Sequence, residues 1–290
     1  MDTALPNFDD WWDYNKPDET GAKFRALLPQ AEQAGDRSYL IELLTQIART
    51  EGLQRKFDDA HQTLDRALAL LSDDLQRAQV RHLLERGRVF NSSRHPEQAR
   101  PLFLDAWELA LAAREDFHAI DAAHMLGIVE PPGEQLAWNR KALALAEQTS
   151  DTRARQWIGS LYNNIGWMYH DAGDYTQALE LFQKALSARE EEGKVSEIRA
   201  ARWCIARARR SLGQIDLALA GQRELLQEFK QSGETSGYVF EELGECLLAL
   251  SQPAEAEEYF ALAYATLSKN LWLAANEPAR LQRLKALGKG

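Results

Sequence analysis

Apolar and small residues recur along this chain at helical spacing, in blocks that come in twos. Between Ser160 and Ala188, one block is marked by Tyr162, Ile165, Gly166 and Tyr169, and the next by Ala178, Phe182 and Ala185. Steps of three and four residues place a buried face along an α-helix. The blocks are separated by Asp171-Ala172-Gly173-Asp174, where Gly173 can end the first helix and Asp174 can cap the second. The segment is predicted to be a helix–turn–helix pair. Gly166, Ala178 and Ala185 are small because the two helices approach most closely there.

The same skeleton recurs along the chain: a small residue, another twelve later, and a third seven after that. It is found at Ala48/Ala60/Ala67, Gly87/Ala99/Ala106, Gly166/Ala178/Ala185 and Gly244/Ala256/Ala263, with weaker copies at Ala123/Gln135/Ala142 and Ala206/Ala218/Leu225. Four residues after the second member stands Leu64, Phe103, Phe182 or Phe260. The first members lie 39, 36, 43, 40 and 38 residues apart. In the third copy Gly127 can replace Ala123, and Pro131-Pro132-Gly133 forces an abrupt turn.

On these residues the chain resembles the tetratricopeptide repeat (TPR) family over roughly residues 38–268, best in Gly159–Glu192 and Gly237–Asn270. The intervals exceed the 34-residue unit, which points to a longer-period variant of about 36–43 residues. The resemblance implies an all-α, right-handed α-solenoid of antiparallel helix pairs. Residues 1–37 read as an N-terminal capping pair, a degenerate repeat whose Phe8, Trp11, Trp12 and Tyr14 cover the first full repeat. Six repeats occupy 38–268. A capping helix and tail occupy 269–290, with Leu281, Leu284 and Leu287 on one face. Such covers are needed because a repeat buries its apolar face only against neighbours. One continuous superhelix without strands is expected.

The chain has 290 residues, 34 Lys+Arg against 44 Asp+Glu, and a net charge of −10. That balance argues against a general nucleic-acid binder, which must displace counterions with positive charge. No apolar run is long enough to span a bilayer, and the first ten residues carry no signal-peptide pattern. Two cysteines, Cys204 and Cys246, cannot form a disulfide framework. A cytoplasmic protein is expected.

No enzyme emerges from the motifs. Glycine-rich phosphate loops and the nucleophile elbow are missing, and no cofactor or metal is implied. His118 and His124 lie six apart, share no helical face, and read as a solvated pair. Cys204 and Cys246 read as small apolar core residues, although Arg202 and Arg207 could activate Cys204. Asp9-Asp10 and Glu190-Glu191-Glu192 read as solvated surface. Trp107 and Trp138, near Ala106 and Ala142 on second helices, read as core.

The TPR resemblance implies that first helices line a groove and that the residue after each first small position points into it. That column is Arg49, Arg88, His124, Trp167, Arg207 and Glu245. One turn away lie Asn91, His170 and Arg210 on one side, and Thr45, Asn163, Trp203 and Glu241 on the other. An arginine fork can hold a carboxylate by two parallel bonds, an asparagine can pair a peptide's backbone amide, and tryptophan offers an anchor face. Asn164 matches the backbone-clamping asparagine of peptide-binding TPR proteins. Glu42, Ser160 and Ala200 stand where a carboxylate-clamp lysine would be, which argues against a chaperone-tail receptor. Arg49 and Arg88 can equally pair with acids of the next repeat. The basic stretch Ile198–Arg210 is either a docking site for an acidic partner or a solvated face answered by Glu190–Glu192. Its Arg202 and Arg209 replace Tyr162 and Tyr169 of the fourth repeat, through a register change or looser packing.

The expected function is a non-enzymatic scaffold binding an acidic or C-terminal peptide segment of a protein partner, without membrane or nucleic acid. Self-association through the caps and a ligand- or peptide-gated regulator are the alternatives.

Overall fold

A computed structural model of the protein describes residues 5–289; Met1–Ala4 and Gly290, the outer ends of the two expected caps, lie outside the described residues. Its contacts divide the chain into two compact units, Met1–Trp157 and Ile158–Gly290.

The first unit begins with a 3₁₀ turn, Phe8–Trp11, followed by α1 (Pro17–Ala34). Residues 5–37 therefore hold a turn and one helix where a helix pair was expected. Proline disfavours helix in the residue before it, and Lys16 is non-helical at φ −133° and ψ 60°. Three antiparallel pairs follow: α2 (Arg37–Leu53) with α3 (Phe57–Leu68), α4 (Gln76–Ser92) with α5 (Pro96–Ala113), and α6 (Asp116–Val129) with α7 (Pro132–Gln148). A single turn, α8 (Thr152–Arg155), packs on α6 and α7.

The second unit holds α9 (Ile158–Asp171) with α10 (Tyr175–Glu192), α11 (Val195–Ser211) with α12 (Ile215–Gln231), and α13 (Gly237–Ala249) with α14 (Pro253–Leu267). It ends with α15 (Leu271–Asn276) and α16 (Pro278–Leu287). Leu273, Leu281 and Leu284 from this cap bury against the cluster around Phe260. The architecture is an all-α, TPR-like α-solenoid fold, with no strand among the described residues.

The repeated small residues have a visible cause. A Cβ on Gly166 would meet the Phe182 ring at 2.6 Å, and one on Gly87 would meet Phe103 at 2.5 Å. Both rings are fully buried. Where the first small residue is glycine, as at Gly87, Gly166 and Gly244, it seats the phenylalanine ring that stands sixteen residues later. In the third pair Ala123 is buried, but the interlocking position moves one turn on: it is Gly127 that faces Asn139. Pro131 holds Glu130 extended, at φ −70° and ψ 158°, and so cuts α6 short. In the fifth pair Ala206 and Ala218 stay buried, so its register is kept. Arg202 there reaches across to Glu224, at 2.8 Å, and to Glu228 on α12.

Candidate functional site

Helix periodicity sets which groups can meet. The residue one after the small position and the residue two before it lie three apart on a first helix, so they share a face. In the first unit Arg49 of α2 meets Glu85 of α4 at 3.0 Å. Arg88 of α4 meets the same Glu85 oxygen at 2.7 Å and also pairs with Asp121 of α6. Glu85 and Asp121 are buried. Burial raises the Asp121 carboxyl, but Arg88 and Arg49 outweigh it and hold the group below its ordinary 3.8. Burial likewise lowers the Arg49 guanidinium, and Glu85, with Tyr14 and Asp121, more than offsets it. Asn91 lies with Arg49, Arg88 and Met125 on a cavity of about 160 Å³. His124 packs on Trp157, ring centroids 5.2 Å apart, and burial lowers its pKa.

The second unit repeats the arrangement with aromatic walls. Arg207 and Arg210 of α11 both bind the buried Glu242 of α13, Arg207 at 3.2 Å and Arg210 through two bonds of 2.7 and 3.0 Å. Burial lowers the Arg210 guanidinium and Glu242 more than restores it. Trp167 of α9 and Trp203 of α11 lie 6.0 Å apart, and Trp203 donates its indole N–H to the Tyr238 carbonyl at 3.1 Å. Opposite them, Arg280 of α16 holds Glu241 at 2.5 Å, and Arg283 pairs with Glu245. Together these groups line a cavity of about 460 Å³. It presents two indole faces, four guanidinium groups and three carboxylates. His170 is buried against Trp167 and bonds Ser211 Oγ at 3.0 Å; burial, then Arg207, lowers its pKa. Asn163 accepts from the Cys204 thiol at 3.3 Å, and Asn164 is half-buried on the same helix.

Several expectations change. Thr45 is fully buried and its hydroxyl donates to the Glu42 carbonyl, so it lines no groove. His118 is not solvated: it lies in the core beside Phe117, and burial pushes its pKa down to about 3. The reason is its register, five before the small residue, a row that holds the buried Leu43, His82, Leu161 and Val239 in other repeats. Arg199, Arg202, Arg207 and Arg210 of Ile198–Arg210 are answered by Glu224, Glu228, Glu234 and Glu242, not by Glu190–Glu192. Burial pushes the thiols of Cys204 and Cys246 up to about 12, so the nearby arginines leave Cys204 unreactive. Trp107 and Trp138 pack edge to face at 5.7 Å on the core of the first unit. Glu85, Asp121 and Glu242 are the residues sequence reasoning missed. Their signal was present in part as a second column, two before each small residue, which reads Gln46, Glu85, Asp121, Asn164, Cys204 and Glu242 and is acidic at three of its six places.

Comparison with known proteins comes down to the repeat. The tetratricopeptide repeat family profile matches residues 136–191. The chain has a TPR-like repeat fold. Among solved structures, a signal-transduction ATPase of the STAND class from Pyrococcus horikoshii, with a TPR sensor, is 13% identical at a TM-score of 0.69. The match covers 91% of this chain but only 42% of that one. The apo form of RapI is 12% identical with a TM-score of 0.65, covering 97% of this chain and 93% of that one. PilW, a type IV pilus biogenesis factor, is 18% identical with a TM-score of 0.58, covering 81% and 97%. At these identities the TPR-like fold is what is shared. No curated protein sequence matches the chain. Among the described residues no group of three or more His, Cys, Asp and Glu is placed to hold a metal, and no helix is long and apolar enough to cross a membrane.

Proposed function

We propose that the protein is a non-enzymatic, longer-period TPR scaffold that binds a short peptide segment of a protein partner along its first helices. The cavity of the second unit carries this reading: Trp167 and Trp203 stand beside Arg207 and Arg210, which Glu242 holds in place. The arrangement suits a segment with one large apolar anchor and a carboxylate, either acidic or C-terminal. The indoles offer area for the anchor. The guanidiniums offer directed donors: Arg210 meets Glu242 through Nε and Nη2, which leaves Nη1 outside that pair. Because the arginines are already ordered by ion pairs, little side-chain freedom is lost on binding. The same pairing limits the Coulombic gain, so an affinity of about micromolar, near −8 kcal/mol, is expected.

Peptides selected by display against the full chain and titrated by tryptophan fluorescence test this. Trp203→Ala and Arg207→Gln, each shown to be folded by circular dichroism, should weaken binding about tenfold, near 1.4 kcal/mol. Unchanged affinity in both variants would remove the groove assignment.

A further inference from the structure

The segment ahead of α1 belongs to no helix pair, yet side chains from α1, α2, α4 and α8 hold it. The Pro6 carbonyl accepts from the Tyr39 hydroxyl of α2 at 2.8 Å. Phe8 is buried edge-on between Phe24 and Tyr39, with centroids 6.0 and 5.0 Å away, and Arg81 lies over its ring at 5.4 Å. Asp9 accepts two bonds from Arg81 of α4, at 2.7 and 3.0 Å, and a third from Arg153 of α8 at 3.1 Å. Trp12 donates its indole N–H to Gln46 of α2 at 3.0 Å and stacks on Tyr14 at 4.6 Å. Arg49 lies over both of these rings, at 5.7 and 5.4 Å.

Gln46 and Arg49 hold the register positions that Glu242 and Arg207 hold in the cavity of the second unit. The first-helix face of the first unit is therefore occupied by a piece of the same chain. That piece shows the chemistry the face accepts: a phenylalanine, an aspartate next to it, and a tryptophan three residues further on. We infer that this seat is an exchangeable peptide-binding surface, with Pro6–Tyr14 as its resident occupant and a partner peptide of the same Phe-Asp-x-x-Trp pattern as its ligand. The inference stands apart from the cavity of the second unit and survives that site's failure.

Three features favour exchange. Of the segment's side chains only Phe8 is buried, while Asp10, Asp13, Tyr14, Asn15 and Lys16 are exposed, so the junction to α1 is a solvated turn. Arg153, the outer partner of Asp9, is half-exposed. Beside the aspartate seat lies a cavity of about 640 Å³, lined in part by Asp9, Arg81, His118 and Arg153, through which a competing segment can approach. A short tether keeps the resident segment at an effective concentration of about millimolar, so a free peptide displaces it only when its own contacts are weakened.

The test uses a fluorescein-labelled peptide of residues 5–16 and the full chain. Binding is measured by anisotropy to wild type and to an Asp9→Ala/Trp12→Ala variant, which keeps the core contact of Phe8. The variant is expected to bind the peptide at least tenfold more tightly than wild type. Adding Arg153→Glu to the variant should reverse this by about tenfold. Equal or absent binding to both chains overturns the inference, as does an Arg153→Glu change without effect. Loss of helical circular dichroism in the double variant also overturns it, because the segment is then an obligate part of the fold.

Discussion

At the scale of the residue, an arginine column and an acid column interlock one repeat apart. The buried Glu85 serves Arg49 and Arg88 at once, through the same oxygen. Removing one partner of a buried pair is costly because the other charge stays behind unpaired. Glu85→Ala should therefore destabilise the protein by about 3 kcal/mol in urea unfolding. The exposed Arg66–Glu32 pair should change stability by less than about 1 kcal/mol when broken. Similar losses from the two variants would mean that the Glu85 network contributes no more than surface charge.

The buried histidines give a second residue-scale expectation, for pH. Burial lowers His82 to about 4 and His118 to about 3, from an ordinary 6.5. Between those values and 6.5 the unfolded chain binds more protons than the folded one, so acid favours unfolding. The stability held by keeping these rings neutral is fully present above about pH 6.5. It is lost as pH falls toward 4 and then 3, by an amount on the order of 3 kcal/mol. Urea midpoints should drop from pH 7 to pH 4.5, and His82→Leu should flatten that slope. A flat wild-type profile would contradict the assignment.

At the scale of the element, the turns within the pairs share one conformation that different residues supply. Seven after each first small residue the backbone is left-handed: Arg55 at φ 62°, Arg94 at 70°, Gly173 at 83°, Gly213 at 76° and Ser251 at 61°. Only the third pair departs, where Pro131 imposes an extended Glu130. A side chain in this region is strained by about 1–2 kcal/mol, and glycine escapes that strain at some loss of unfolded-state restriction. Ser251→Gly should raise stability by about 0.5–1 kcal/mol, and Gly173→Ala should lower it by about 1 kcal/mol. Thermal melts of the two variants that shift in the same direction would refute the turn argument.

At the scale of the whole molecule, the net charge of −10 is unevenly felt, because the first-helix cations are matched locally by carboxylates. A repeat architecture also confines disturbance, since each pair packs on its immediate neighbours. Phe182 is fully buried in a cluster that draws on α10 and α11. Phe182→Ala should cost about 3–5 kcal/mol, with hydrogen-exchange protection falling mostly in α9–α12. Equal loss across α13–α16 would show a more cooperative second unit than nearest-neighbour packing implies.

The helix pairs, their turns and the spacing of small residues were legible in the sequence, because each depends on contacts inside one pair of helices. Gly166 and Phe182 stand sixteen residues apart and meet across a single helix–turn–helix pair. The column one after each small residue was legible as a set of positions, but the pairing of its arginines was not. Whether Arg49, Arg88, Arg207 and Arg210 faced solvent or a carboxylate depended on how one pair stacks on the next. Glu85, Asp121 and Glu242 close those contacts about 32 to 36 residues away in sequence. The seat of Asp9 lay still further from local reasoning, since its partners come 72 and 144 residues later. Periodicity determined the elements because burial of one helical face is a local demand. Tertiary packing alone decided which charges were spent inside the fold and which segment came to lie across the first helices.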